Sequence, residues 1–122
     1  MSITKATRIA VLERDDFTCQ RCKVSILGQP YSIHHRKGRH CTNPDALPNL
    51  ITVCGSGSSP ACHFDIHSHP AESYDTGWMI RRLGSEDPTD VPLIDLYGRL
   101  FGLTDDGLVI DWSTHTQTGA SA

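Results

Sequence analysis

The chain has 122 residues, one domain's worth, and its 38% hydrophobic content with three Phe, two Trp and three Tyr residues leaves a thin core that calls for a cross-link. No apolar run approaches the roughly 20 residues of a membrane span, and MSITKATRIAVLERDD at the start lacks the apolar stretch of a secretory signal, so a soluble protein of a reducing, cytoplasmic compartment is expected. The formal charge of -3 argues against a uniformly basic nucleic-acid binder, yet residues 1–40 carry eight basic and three acidic groups, net +5, and residues 41–122 carry three basic and eleven acidic, net -8.

Residues 4–14 read as a short helix, with Thr4 or Ser2 as cap and Ile9, Leu12 and Ala6 as its apolar stripe, broken by Asp15-Asp16. Phe17 leads into Cys19-Gln20-Arg21-Cys22, a knuckle-like turn whose two sulfurs can face one ion. A turn at Gly28-Gln29-Pro30 precedes a short strand, Tyr31-Ser32-Ile33, that delivers the pair His34-His35. Residues 36–48 are rich in turn formers and read as a loop. Leu50 to Val53 is a second strand ending at Cys54, and a helix begins near Pro60 and is limited by Pro70. The region 71–84 is expected to add a helical turn around Trp78, Met79 and Ile80. Leu93 to Tyr97, Leu100 to Leu103 and Leu108 to Trp112 read as strands, with turns at Gly98-Arg99 and Asp105-Asp106-Gly107; residues 85–92 read as a linker. The fold class is α+β, divided as 1–84 for a first unit that holds the clustered cysteines and histidines, 85–112 for a β-hairpin extension and 113–122 for a tail.

Two metal sites follow from residue types and spacing. In a reducing compartment clustered cysteines more often hold metal than pair, so Cys19, Cys22, Cys54 and Cys62 form a candidate tetrahedral zinc site, a structural staple where the core is small. Seven residues separate Cys54 from Cys62, and their Gly-Ser-Gly-Ser-Ser filler can loop out; Cys41 is left over and is an alternative fourth ligand. A redox-active CxxC lacks the βαβ context such a motif needs. His63 and His67, four residues apart, share one helix face, and His34 supplies a third imidazole for a divalent ion. His40, His69 and His115 carry no such constraint.

The combination Cys19-x-x-Cys22, Ile33-His34-His35, Asn49-Leu50-Ile51 and Cys62-His63-Phe64-Asp65-Ile66-His67 resembles the HNH endonucleases, also called ββα-metal or His-Me finger nucleases, over about residues 5–70. The last segment also resembles the metal-binding helix of the colicin DNases, and the layout is similar to small HNH proteins of tailed bacteriophages. Position 34 holds His where the family often has Asp, which shifts the metal preference towards nitrogen-loving ions.

The resemblance implies a ββα-metal finger that hydrolyses DNA phosphodiesters, by nicking or double-strand cleavage with weak sequence specificity. His35 would be the general base and Asn49 would hold the loop that carries it, while His34, His63 and His67 bind one divalent ion, Mg2+, Mn2+, Ni2+ or Zn2+. Products would carry a 5′ phosphate and a 3′ hydroxyl. Arg36, Lys37 and Arg39 directly follow the base and are the expected phosphate contacts. The layout further implies a role in phage DNA packaging beside a terminase, in the cytoplasm of a bacterial host. The alternative is a non-catalytic, zinc-dependent DNA-binding or terminase-adaptor protein, which the cysteines alone would satisfy. A homing-type nuclease would need an appended recognition domain, and the acidic residues 71–122 offer no basic helix for one.

Overall fold

The computed structural model describes residues 3–38, 41–56 and 60–113. Within them lie three short helices and two small antiparallel sheets, an α+β arrangement. Helix α1, Lys5–Arg14, starts where the Thr4 hydroxyl accepts a hydrogen bond from the Thr7 amide at 3.1 Å, and it buries Val11 and Leu12. Asp15 ends it and does more than break it. The Asp15 carboxylate pairs with Arg14 at 2.8 Å and accepts from the Thr52 amide at 2.9 Å, which ties the helix end to the neighbouring strand.

Strand β1, Tyr31–His35, pairs antiparallel with β2, Leu50–Cys54, so that His34 lies opposite Ile51 and His35 opposite Leu50. Leu50 to Val53 are all buried, which a strand achieves only when both of its faces are covered. Helix α2, Cys62–Ser68, follows, and Pro70 both limits it and opens α3, Pro70–Asp75, because a proline is tolerated in a helix's first turn.

Trp78 to Ile80 are not helical, contrary to the sequence expectation. The Ile80 amide donates to the Arg36 carbonyl at 2.9 Å in a parallel bridge beside Lys37, and the Trp78 indole packs edge-on to Phe101 with centroids 6.3 Å apart. Gly77 makes this path possible. It has φ +85°, and a Cβ there would stand 1.9 Å from the Pro92 carbonyl oxygen.

Strands β3, Leu93–Ile94, β4, Leu100–Leu103, and β5, Val109–Asp111, form the second sheet in that order. Leu93, Phe101 and Leu103 join Leu12, Ile51, Val53, Ile66 and Trp78 in one continuous core, so residues 85–112 share the interior of residues 1–84. The stretch 85–92 is likewise fixed in place: it contains a 3-10 turn, Pro88–Asp90, whose neighbourhood is bonded to Arg36. Among the described residues no helix is long and apolar enough to cross a membrane.

Candidate metal centres

Cys19 and Cys22 come from the turn after α1, Cys54 from the end of β2 and Cys62 from the first residue of α2. None forms a disulfide, and their sulfurs lie within 4.8 Å of one another. The Cys22 and Cys54 sulfurs are 3.8 Å apart, matching the separation of about 3.8 Å that a tetrahedral zinc site with Zn–S bonds of about 2.3 Å requires. The long Cys54–Cys62 interval closes because Gly55, at φ +90°, turns the chain back so tightly that a Cβ there would sit 2.4 Å from the Ala61 Cβ. Backbone amides of Cys22 and Cys62 point at the sulfurs of Cys19 and Cys54, each at 3.5 Å, and the Arg21 guanidinium donates to the Cys62 sulfur at 3.3 Å. These donors favour thiolates. The hydrogen bond from Cys62 pulls the Cys19 thiol down to about 4, while donating that bond, together with burial, pushes the Cys62 thiol up. The four sulfurs fit a metal such as zinc. Cys41 stands outside this cluster.

A second cluster joins β1 to α2. His34 meets His63 and His67 with ring centroids 5.4 and 5.3 Å away, and His63 and His67 are 4.8 Å apart. His34 Nε2 lies 2.6 Å from the Trp78 carbonyl and donates to it, which leaves the Nδ1 lone pair as the available ligand atom. The Nε2 atoms of His63 and His67 approach to 3.2 Å, close to the separation of two nitrogens held about 2.1 Å from a shared ion. Burial lowers the His34 pKa to about 3, against the opposing pull of the Trp78 carbonyl, and burial with the neighbouring His67 lowers that of His63. Both rings are therefore neutral near pH 7, the state in which an imidazole binds metal. The donor set fits a divalent ion.

Strand alternation sends His35 the other way. Its Nε2 donates to the Asp45 carboxylate at 2.8 Å, a partner that no spacing rule in the sequence singles out, since the two are joined only through the folded loop. Asn49 is buried and braces that loop at two points. Its Oδ1 accepts from the Lys37 amide at 2.7 Å, and its Nδ2 donates to the carbonyls of Lys37 at 3.0 Å and Pro44 at 2.8 Å.

The expected phosphate contacts need correction. Arg36 is buried, 2% exposed, and its guanidinium donates to the carbonyls of Gly77, Pro48, Pro88 and Val91, leaving it no route to a phosphate. The residue alternates inward because it lies two positions beyond His34, on the same buried side. The Lys37 ammonium donates to the carbonyls of Gly84 and Glu86, each at 2.9 Å. Arg39, with His40 and His115, lies outside the described residues.

Among known proteins, no family model, no curated protein and no solved structure matches the chain.

Proposed function

We propose that the protein is a metal-dependent endonuclease of the HNH, or ββα-metal, type, hydrolysing DNA phosphodiester bonds. The observation that carries this reading is the convergence of His34, His63 and His67 from a strand and a helix while the adjacent His35 faces a carboxylate on the other side. A DNA-binding adaptor needs the cysteine centre for its fold, but has no physical use for a second, imidazole-lined centre beside an oriented histidine. The link to phage packaging and a terminase partner is supported by the sequence resemblance alone.

Held by His34, His63 and His67, a divalent ion would supply Lewis acidity that offsets charge on the phosphate and on the departing 3′ oxygen; the nitrogen donors favour zinc or nickel over magnesium. The chain's own residues supply the rest. The Trp78 carbonyl holds His34 Nε2 and so leaves Nδ1 as the nitrogen free to bind the ion. His35 accepts the proton of the attacking water. Asn49 holds the loop around that base, so the ring is aimed before substrate arrives.

Plasmid nicking by chelator-treated protein, with Mg2+, Mn2+, Ni2+ or Zn2+ added back, tests the reading. Wild type should regain cleavage with at least one ion, and His35→Ala should fall by about 100-fold or more while its melting profile is kept. Absence of metal-restored cleavage in the wild type would favour the adaptor, and an undiminished rate in His35→Ala would remove the base.

A further inference from the structure

We infer that Asp45 is a positioning residue for His35, fixing which ring nitrogen carries the proton and where the other one points. The inference rests on the endonuclease reading, because it assigns His35 its partner in that reaction. Asp45 Oδ1 stands 2.8 Å from His35 Nε2. A carboxylate only accepts, so Nε2 carries the hydrogen and the lone pair of the neutral ring sits on Nδ1.

The pair differs from an ordinary surface contact in how firmly it is braced. The His35 side chain is 10% exposed, whereas that of Asp45 is 46% exposed, so the ring is sheltered and its partner is half in water. One amide holds both sides of the pair. Asn49 Nδ2 bonds the carbonyl of Pro44, the residue just before Asp45, and the Asn49 side chain bonds both backbone groups of Lys37, two residues after His35. Further bonds from the Ala46 amide to the Asn43 carbonyl at 3.2 Å and from the Asn49 amide to the Ala46 carbonyl at 2.9 Å close the loop on either side of Asp45. Asn43 adopts φ +57° ahead of Pro44, whose own φ is fixed by its ring. The braced loop backbone thus holds Asp45 beside His35, and the carboxylate reaches the imidazole from there.

In the reaction the water oxygen bonds to phosphorus as one of its protons passes to His35 Nδ1. The bond from phosphorus to the 3′ oxygen breaks, and that oxygen takes a proton from solvent. The ring is then an imidazolium held against the Asp45 carboxylate, which stabilises it without taking its proton. A ring with the hydrogen on Nδ1 would present no lone pair to the water.

Nitrogen-15 NMR of the histidine rings in the zinc-loaded full chain, read beside plasmid-cleavage kinetics, tests this. Wild type should show His35 with its hydrogen on Nε2, and Asp45→Ala should lose that preference. Asp45→Asn, whose amide can donate to Nε2, should raise the fraction with hydrogen on Nδ1 and lower kcat by about 100-fold with KM for plasmid unchanged. Asp45→Glu should recover part of the rate. Cleavage at the wild-type rate by both Asp45→Asn and Asp45→Ala, or a wild-type ring with its hydrogen on Nδ1, would overturn the inference. If the wild type cleaves no DNA, the endonuclease reading falls separately; the ring spectrum still decides whether Asp45 sets the tautomer, upheld by its loss in Asp45→Ala and overturned by its persistence there.

Discussion

Backbone carbonyls of Pro48, Gly77, Pro88 and Val91 converge on the Arg36 guanidinium, joining the end of β1 to three later segments through one side chain. Burial lowers its pKa to about 9, so it remains charged at neutral pH and depends on those carbonyls for solvation. Arg36→Lys keeps the charge but cannot reach diverging acceptors with a single ammonium, so urea unfolding should show a loss of about 3 kcal/mol. A loss below about 0.5 kcal/mol, the range of ordinary surface substitutions, would contradict this bracing role of the guanidinium. The arginine illustrates a limit of reading residue types along a chain. Its position in a basic run was visible, but its acceptors come from residues 41 to 55 positions away as well as from Pro48, and only the fold brings them together. Asp45 was hidden for the same reason, whereas His63 and His67 were legible because their spacing alone puts them on one helix face.

At the scale of elements, β1, β2 and α2 carry the candidate site. Alternation along β1 parts His34 from His35 as the period of a strand requires, and the β-branched run in β2 marks a strand, which the fold then buries on both faces. The apolar run at Trp78 has no period of its own and does not form the expected helical turn; Gly77 and the bridge beside Lys37 decide its path. That path matters chemically, since it supplies the carbonyl that orients His34. The junction of β1 with α2 also has a pH signature. His34 and His63 have folded pKa values lowered from 6.5, so neutral rings are favoured by folding. Their contribution is full above the unfolded value and is lost as pH falls through 6.5 towards the folded values, about 3 for His34. Chelator-treated protein should therefore lose about 2 kcal/mol from His34 between about pH 7 and pH 5, a fall in Tm of roughly 8 °C that scanning calorimetry can follow. A Tm that stays level across that interval would contradict burial of a neutral His34.

Taken as a whole, the molecule closes one core around both sheets, and the C-terminal strands contribute Leu93, Phe101 and Leu103 to it. Turn residues mark where those strands end, although the first spans only Leu93–Ile94 instead of reaching Tyr97, because Asp95 accepts from the Tyr97 and Arg99 amides and turns the chain; their docking against Ile51, Val53 and Trp78 depends on contacts distant in sequence, which local patterns do not encode. The run from Cys54 to His67 is where the whole is joined: Cys54 and Cys62 belong to the sulfur centre that ties α1's following turn to α2, and His63 and His67 belong to the imidazole centre one residue further on. On the proposed function these are two separable metal sites, one holding the fold and one serving the reaction. Native mass spectrometry of the zinc-loaded chain counts them directly. Wild type should carry two ions, His67→Ala should keep the sulfur-bound one alone and remain folded, and Cys22→Ser should lose that ion together with its compact charge-state distribution. A single ion in the wild type, or loss of both ions in His67→Ala, would contradict the account.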